Sequence, residues 1–430
     1  MGSLYVFNRK LQTITIFKKI VIAGVSVLKV LAGEKMKILL VNMFYNEEGG
    51  AQKSTTLLAE QLVKDGHDVS VYSIDTDNAV DEKKNGVKVF RRNTSTFNLN
   101  YIFKPQKNRL RHLYYKCFET YNKSAERNFI NILNQVNPEV VHFNCLSGMS
   151  LSIIEIAKKR GIRTVLTLRD YWLENPWGTR DNGLVKYMNK RLATRVKKTL
   201  SHIDVVTAPS AFTLNHFIKN GYFDPAYQTC EVVENAVTFS YPNLKEIIDE
   251  KRQLIHDKNT TFLFVGSILK QKGVFKMINA FKKLSNYPDI TLNIVGKGAD
   301  TESLQKEIVS DSRIHYLGFK YTPELNMIYR SADILLVPSD WDEPFGRVVI
   351  EGNSNGLPVI GSNRGGIPEI IKTTGGGKIF DISNIDSLVE TMKEFIEVSD
   401  YGVYFDSILS TIDTYQVEKQ SKKFMRLYQQ

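Results

Sequence analysis

The chain has 430 residues, of which 42% are hydrophobic and 24% are charged, and this composition excludes both a disordered protein and a polytopic membrane protein. The length predicts two domains, because a single hydrophobic core rarely grows beyond about 250–300 residues. The net charge of +11 favours an anionic partner.

Residues 1–35 carry six Lys or Arg residues against one Glu, and their apolar residues follow helical spacing. Lys18, Lys19 and Lys29 interrupt these apolar residues, so the segment is not a signal peptide, and its longest apolar run is too short to cross a bilayer. Two interpretations stay open. The segment is either a basic amphipathic anchor, which would hold the protein peripherally on the inner face of an anionic membrane, or a poorly ordered extension.

Residues 36–237 alternate short apolar runs with longer amphipathic ones, which is typical of a parallel α/β sheet. The first unit is the strand KILLVN, a Gly-Gly loop, a helix ending at Gly66 and the strand HDVSVYSI. The later predicted elements are a strand at GVKVFR, a helix near 107–135, a strand at VNPEVVHF, a helix to Lys159, and strands at IRTVLTL and IDVVTAPS. This pattern predicts one Rossmann-like domain.

Residues 238–410 predict a second Rossmann-like domain. Residues 238–258 are polar and helix-prone, which suits a linker, and the first strand of the domain begins near residue 261. The predicted strands are TFLFVGSI, ITLNIVGKG, RIHYLGF, ADILLVPS, PVIGS and KIF. Residues 411–430 predict a helix that could pack back on the first domain. Open α/β domains bind ligands at the carboxyl ends of their strands, so the glycine loops of both domains should face a common cleft.

Several familiar signals for metals and cofactors are weak or missing in this sequence. The chain has no P-loop and no HExxH motif, and Cys117, Cys145 and Cys230 form no Cys-x-x-Cys pair, which fits the reducing cytoplasm. Asp75-Thr76-Asp77 and Asp340-Trp341-Asp342 each match Asp-x-Asp, a spacing that can hold a divalent metal beside a diphosphate. So short a pattern often arises by chance, and we expect no metal and no cofactor.

The stretch at residues 339–370, SDWDEPFGRVVIEGNSNGLPVIGSNRGGIPEII, carries more specific chemistry. It follows a predicted strand, and residues 347–355 predict a short helix that Gly356 and Pro358 end. Glu343 would lie just before this helix and Glu351 about one turn inside it. Carboxylates accept hydrogen bonds from neighbouring hydroxyls, and free amides at a helix start suit phosphate oxygens, so the stretch favours a sugar nucleotide as the ligand.

The run from Glu343 to Glu351 resembles the E-x7-E motif of retaining GT-B glycosyltransferases of the group 1, family four type. The resemblance extends from about residue 36 to the end of the chain. It includes Gly49-Gly50, TLRDYW at 167–172, APSAFT at 208–213, VVENAV at 232–237, VGSILKQKG at 265–273, VGKG at 295–298 and the GG-x-PE run at 365–369. The resemblance implies the GT-B fold, in which two Rossmann-like domains face a central cleft.

The resemblance also implies roles for individual residues. Glu351 would hold the ribose hydroxyls, Glu343 would orient the donor sugar, and Lys272 would neutralise the diphosphate as the sugar leaves. The remaining donor-binding positions that it implies are Phe345 and Gly346 through their amides, Arg347, Gly266, Ser267, Gly296, Gly298, Gly49 and Gly50.

Two positions depart from the family pattern. Ser267 stands where the family often has an arginine after the first glycine of its diphosphate motif, so Lys272, with Lys270 or Arg347, would have to replace that charge. Arg169 replaces the histidine of a common T-x-H-D stretch, directly before Asp170. A guanidinium cannot act as a base near neutral pH, but it can bind an acidic acceptor or the diphosphate, so we predict Arg169 and Asp170 as catalytic-site residues. His142 at a strand end is either a functional polar group or a satisfied buried histidine.

Residues 184–200 form a second basic segment, with six Lys or Arg residues, no acidic residue and several apolar ones between them. A helix of this kind either lies on anionic lipid or is simply solvated. No nucleic-acid motif accompanies the charge, so nucleic acid is not an expected partner.

The leading hypothesis is a retaining, metal-independent hexosyltransferase. It would move a hexose from a UDP- or GDP-linked donor to a hydroxyl of a glycan or lipid-linked acceptor. Two alternatives stay open, since a fold alone does not set the chemistry. They are a sugar-nucleotide epimerase or phosphorylase of the same fold, and a non-catalytic protein that binds a sugar nucleotide or lipid.

Overall fold

The structure, a computed structural model, describes residues 35–45, 49–74, 80–93, 120–177, 183–239, 241–254, 259–398 and 400–430. The predicted N-terminal extension up to residue 34, the Asp75-Thr76-Asp77 motif, Cys117 and the first part of the helix predicted near 107–135 lie outside the described residues.

The first sheet has eight strands in the order β3-β4-β2-β1-β5-β6-β7-β8. Their bounds are β1 Lys37–Val41, β2 Asp68–Ile74, β3 Val80–Lys84, β4 Val87–Arg92, β5 Val140–Phe143, β6 Arg163–Thr167, β7 Val205–Ala208 and β8 Thr229–Val232. All neighbours are parallel except the hairpin of β3 and β4. The sequence prediction missed β3, because its five residues are all exposed and show no apolar pattern.

The second sheet has six parallel strands in the order β11-β10-β9-β12-β13-β14. Their bounds are β9 Thr260–Val265, β10 Ile290–Val295, β11 Ile314–Gly318, β12 Ile334–Val337, β13 Val359–Ser362 and β14 Gly377–Phe380. This is the 3-2-1-4-5-6 order of a doubly wound nucleotide-binding sheet. The predicted α/β fold with two Rossmann-like domains is therefore confirmed.

Fourteen α-helices are described, and most of them cover the two sheets. They are α1 Gly50–Lys64, α2 Lys123–Val136, α3 Ser152–Lys159, α4 Gly183–Leu200, α5 Ala211–Lys219, α6 Tyr241–Leu254, α7 Val274–Lys282, α8 Thr301–Ile308, α9 Glu324–Ser331, α10 Arg347–Asn353, α11 Ile367–Thr374, α12 Ile385–Glu397, α13 Gly402–Thr411 and α14 Val417–Gln429. Because helices cover both faces of a sheet, its inner strands are buried on both sides, and strands such as β1 are continuous apolar runs.

The residues predicted as a helix-prone linker, 238–258, include helix α6, so the helical tendency is confirmed and the linker prediction is wrong for 241–254. Leu244 and Ile248 of this helix are buried in the core of the second domain. Four of the six charged residues of α6 are exposed, which suggested a linker, but Lys251 is buried and donates to the Arg330 and Ala332 carbonyls, and the apolar residues recur at helical spacing.

The C-terminal helix α14 packs on the first domain. Phe424, Leu427 and Tyr428 belong to the same buried cluster as residues of β1 and α1. A 3-10 turn, Ile412–Tyr415, precedes α14, and its Tyr415 belongs to the core of the second domain. The last two elements thus connect the cores of both domains.

None of the helices in the described ranges is both long and apolar enough to cross a bilayer.

Candidate active site

The strand orders fix where a ligand site can form. In the second sheet the order reverses between β9 and β12, and the loops that follow these two strands border the resulting crevice. Gly266 and Lys272 lie in the first of these loops and Glu343 in the second. In the first sheet the reversal lies between β1 and β5, and Gly49 follows β1. Residues from distant parts of the sequence therefore meet at one edge of each sheet.

A cavity of about 310 Å³ lies between the two domains. The predicted donor-site residues that line it are Gly49, Gly50, Gly266, Ser267, Lys272, Glu343, Gly346, Arg347 and Glu351. The first domain contributes the two glycines and Lys53, and the second domain contributes the other charged side chains. Since no Cβ projects from Gly49 or Gly50, the backbone of the first domain can approach a ligand closely.

Lys272 and Glu343 form an ion pair at this cavity. The Lys272 Nζ donates to Glu343 Oε1 at 2.5 Å, and the Ser339 hydroxyl donates to the same oxygen at 3.0 Å. Lys272 ends the 3-10 turn Lys270–Lys272, and Gly273 follows it with φ 73°. A Cβ on Gly273 would lie 1.7 Å from the carbonyl oxygen of Pro338. Only glycine therefore allows the lysine loop to approach the glutamate loop this closely.

Arg347 and Glu351 form a second pair, one turn apart on α10. The Arg347 Nε donates to Glu351 Oε1 at 2.8 Å, and its Nη1 donates to Ser54 Oγ and to the Ala236 carbonyl, both at 2.9 Å. Ser54 lies on α1 of the first domain. Arg347 therefore orients Glu351 and contacts both domains across the cleft.

A larger cavity of about 820 Å³ adjoins the first one, and Lys53, Arg347 and Glu351 line both. Tyr329 lies in its wall, and burial, followed by the negative charge of Glu351, raises the pKa of Tyr329 well above its ordinary value. The Tyr329 hydroxyl therefore stays protonated beside the carboxylate. The larger cavity gives a ligand held at Glu351 room to extend toward α1 and α9.

Other predicted donor-site residues support the site through their backbones. Phe345 is buried in the second-domain core, so only its main chain can face a ligand. Gly346 has φ 95°, and a Cβ there would lie 2.8 Å from Ile367. Gly296 and Gly298 do not line either cavity; a Cβ on them would lie 1.8 Å from the Gly266 carbonyl and 2.2 Å from the Ile268 carbonyl. Their direct contact with a donor stays a prediction, while their packing supports the loop after β9.

Arg169 lies at the carboxyl end of β6 and is only 9% exposed. Its Nε donates to Asn144 Oδ1 at 3.1 Å and its Nη1 donates to Asn235 Oδ1, while its Nη2 is buried without a hydrogen-bond partner in the structure. Burial, together with the nearby charge of Arg347, lowers the pKa of Arg169 to about 10, so it stays a cation at neutral pH. Asp170 is exposed and its Oδ1 accepts from the Trp172 amide at 2.9 Å, which caps the following turn.

The structure decides between the two interpretations of His142 in favour of a satisfied buried histidine. Its Nδ1 is 2.7 Å from the Tyr428 hydroxyl and its Nε2 is 2.7 Å from Thr167 Oγ1. Burial, and then the charge of Arg169, hold the pKa of His142 well below its ordinary value. The neutral ring thus joins α14 to the first sheet.

Three residues that sequence reasoning missed contribute to the site. Lys53 lines both cavities, Ser339 donates to Glu343, and Ser54 accepts from Arg347. A basic residue in the first turn after the Gly-Gly loop was a local signal that could have identified Lys53. Ser54 had no such signal, because its partner Arg347 lies 293 residues away in the sequence, whereas Ser339 is only four residues from Glu343.

The second Asp-x-Asp motif faces cations of the protein. Asp340 forms ion pairs with Lys276 at 2.8 Å and Arg364 at 3.9 Å. Within the described ranges no group of three or more His, Cys, Asp or Glu side chains is arranged to hold a metal ion.

Comparisons with known proteins cover both domains. The family described as Glycosyltransferase Family 4 matches residues 48–240, and the family described as Glycosyl transferases group 1 matches residues 245–405. An uncharacterised 42.6 kDa protein from the cps region of Klebsiella pneumoniae is 30% identical over 363 residues, which cover 82% of this chain and 92% of that protein.

Solved structures show the same fold. Sucrose-phosphate synthase from Thermosynechococcus elongatus superposes with a TM-score of 0.68 at 16% identity, covering 92% of this chain and 98% of that one. HepE from Anabaena, solved in complex with UDP and glucose, superposes with a TM-score of 0.63 at 17% identity. The match covers 91% of this chain and 99% of the HepE chain. These neighbours confirm the predicted GT-B fold. The matches to both domains and to a full-length relative establish that this chain is a member of the group 1 glycosyltransferases.

Proposed function

We propose that the protein is a retaining, metal-independent hexosyltransferase that uses a nucleotide diphosphate sugar. One observation carries the proposal: the pairs Lys272–Glu343 and Arg347–Glu351 line the same interdomain cavity as Gly49 and Gly50. This arrangement offers carboxylates to sugar hydroxyls and cations to phosphates. The backbone of the two glycines can approach the reacting centre, because no side chain stands between them.

In the proposed complex, Glu343 holds the hexose, Glu351 holds the ribose and the diphosphate lies between them. The nucleoside then extends from Glu351 into the larger cavity. Lys272, Arg347 and Lys53 all reach the cavity wall, so they supply the positive charge that an arginine at position 267 would otherwise provide. A UDP- or GDP-linked sugar fits this scheme, and the complexes of HepE with UDP and glucose support the uridine form.

The reaction breaks the bond between the anomeric carbon and the diphosphate oxygen and forms a bond from that carbon to the acceptor oxygen. As the resemblance to retaining enzymes implies, the departing phosphate oxygen takes the proton of the acceptor hydroxyl on the same face of the sugar. No separate protein base is needed. Lys272 stabilises the negative charge that develops on the diphosphate, which is the group whose charge changes most during the step.

The acceptor that we propose is a glycan or a lipid-linked glycan at the inner face of the membrane. Two features support it. Arg169 offers a buried guanidinium nitrogen without a hydrogen-bond partner, which suits an acidic acceptor group. Helix α4 exposes Leu184 and Tyr187 together with basic side chains, and it contains no acidic residue. Such a face complements an anionic lipid surface.

The function test begins with thermal shifts of the protein in UDP-, GDP- and ADP-linked sugars, followed by transfer to membrane extracts with the donor that binds. We expect release of the nucleoside diphosphate and a product whose anomeric configuration, read by proton NMR, equals that of the donor. An inverted product would contradict the retaining mechanism. Isomerised donor without acceptor, a requirement for inorganic phosphate, or binding without turnover would favour the alternatives.

The membrane proposal has a separate test. The triple variant Lys186→Glu, Lys190→Glu, Arg191→Glu should bind vesicles of phosphatidylcholine and phosphatidylglycerol roughly a hundredfold less tightly, because each basic residue near an anionic surface contributes about 1 kcal/mol. The control variant Lys282→Glu, Lys306→Glu, Lys393→Glu removes the same charge from the second domain. Equal loss of vesicle binding by both variants would show that net charge matters and that α4 has no special role.

A further inference from the structure

The amino-terminal end of α5 contacts the other domain through Glu369. The backbone amide of Ala211 donates to Glu369 Oε2 at 2.7 Å, and the amide of Phe212 donates to Glu369 Oε1 at 2.6 Å. The first amides of a helix have no partner within the helix, so they need an acceptor from elsewhere. Here the acceptor is a carboxylate from α11 of the second domain, and negative charge is favoured at this end of a helix.

The same end of α5 also holds the loop that carries Glu343. The Ser210 hydroxyl donates to the Pro344 carbonyl at 2.6 Å, and the Thr213 hydroxyl donates to the same oxygen at 3.0 Å. Ser210 additionally caps α5, because its Oγ accepts from the Thr213 amide at 3.2 Å. Pro344 directly follows Glu343, so the first domain contacts the glutamate loop next to its functional side chain.

The opposite side of this loop is held by two glycines. The Gly366 amide donates to the Glu343 carbonyl at 2.8 Å. A Cβ on Gly365 would lie 2.2 Å from that same carbonyl oxygen, and a Cβ on Gly366 would lie 2.8 Å from the Phe345 carbonyl. Glu369 is on the first turn of the helix that these glycines introduce. The glutamate loop is therefore enclosed between α5 and the start of α11.

A third contact connects this loop with the acceptor side of the cleft. The rings of Tyr171 and Trp341 pack edge to face with their centroids 5.2 Å apart. Tyr171 follows Arg169 and Asp170, and Trp341 precedes Glu343. The segment from Trp341 to Pro344 thus contacts the first domain at both of its ends.

We propose that Glu369 is a positioning residue for sugar transfer. By binding the α5 amides it holds the two domains at the separation at which Ser210 and Thr213 fix the Glu343 loop opposite the first domain. The donor sugar is then presented to an acceptor bound on the first domain. This proposal rests on the proposed transferase function. It assigns Glu369 no contact with donor or acceptor.

The variants Glu369→Ala and Glu369→Gln test the proposal. A Gln is uncharged and has one acceptor oxygen and one NH2 donor, so it cannot offer a separate oxygen to each amide as the carboxylate does. We expect Glu369→Ala to lower the transfer kcat about tenfold, because a misplaced reacting group loses the advantage of orientation. Glu369→Gln should give a smaller loss. The affinity for the nucleoside diphosphate alone, measured by calorimetry, should stay within about twofold, since Glu351 and Lys272 remain in place.

The matched control is Glu302→Ala, which removes an exposed carboxylate of the second domain from its ion pair with Lys306. Its kcat should equal that of the unmodified protein. A kcat for Glu369→Ala that also equals that of the unmodified protein would overturn the proposal. So would an equal loss of kcat and of nucleotide affinity, because that result would indicate general damage to the second domain.

Hydrogen exchange separates failure of this proposal from failure of the transferase function, because it needs no substrate. Exchange at the amides of Ala211 and Phe212 should be at least about tenfold faster in Glu369→Ala than in the unmodified protein, since two hydrogen bonds to a charged acceptor are lost. Exchange within β9 should not change. Equal exchange at 211 and 212 in both proteins would disprove the contact, whether or not the protein transfers sugar.

Discussion

The two walls of the cleft hold their charged side chains differently. On the second-domain wall, Lys272 and Glu343 have 26% and 17% of their side-chain surface exposed, and each charge is paired with an opposite one. Beneath the first-domain wall, Arg169 lines neither of the two cavities, is almost fully buried, and donates to the neutral amides of Asn144 and Asn235.

The difference indicates different roles. A partly exposed ion pair contributes little to stability and can exchange partners when a ligand arrives. A buried guanidinium is held rigidly, and removing it leaves its acceptors unsatisfied. We therefore expect changes on the second wall to affect the reaction more than the fold, and changes on the first wall to affect the fold as well.

The largest effect is expected for Lys272→Ala. Removing a cation from the site where negative charge develops should lower the transfer kcat by about 10²–10³-fold. Steady-state kinetics at saturating donor measure this loss. The control Lys306→Ala removes an exposed lysine of the same domain. A kcat within about threefold of normal for Lys272→Ala would refute the assignment of Lys272.

A smaller effect is expected for Glu351→Ala. Loss of hydrogen bonds from a carboxylate to the ribose should weaken binding of the nucleoside diphosphate by about 10–100-fold, and calorimetry measures that change directly. Glu394→Ala, which removes an exposed carboxylate paired with Lys378, serves as the control. Unchanged affinity in Glu351→Ala would place the ribose elsewhere in the cleft.

Stability distinguishes the two walls most directly. Arg169→Gln should reduce the free energy of unfolding by about 2 kcal/mol, because the shorter amide cannot reach both Asn144 and Asn235. Lys272→Ala should cost less than about 1 kcal/mol, as is usual for a partly exposed ion pair. Urea denaturation of both variants measures the contrast. Equal losses would contradict the proposed difference between the walls.

The smallest effect concerns pH. The folded protein holds His142 neutral, whereas the unfolded chain protonates it below its ordinary pKa of about 6.5. The unfolded state therefore binds more protons in acid, and the contribution of His142 to stability falls as the pH drops below about 6.5. Thermal unfolding from pH 7.5 to 5.5 should show this slope, and His142→Asn should reduce it. Tyr428 and Arg169 are the titratable groups facing the ring; an unchanged slope in the variant would assign the effect elsewhere.

The sequence was sufficient to predict the two Rossmann-like domains and most of the residues that line the cavity between them. Strand ends and glycine loops are local features, and in a parallel sheet the carboxyl ends of the strands meet at one edge. The glycine loops, among them Gly49-Gly50, could therefore be predicted to face one cleft, and the family resemblance added Lys272, Glu343 and Glu351. The segment of α6 was predicted to be helix-prone, but its burial in the second-domain core was missed because most of its charged residues are exposed and hid its apolar face.

Only the tertiary structure decided how the two walls are joined. Arg347 contacts Ser54 from 293 residues away, Glu369 contacts the Ala211 amide from 158 residues away, and His142 contacts Tyr428 from 286 residues away. A local pattern determines which face of a helix or strand a side chain occupies. The distant group that the side chain contacts depends on how the two domains and α14 pack together. That packing is determined jointly by the buried surfaces of the whole chain.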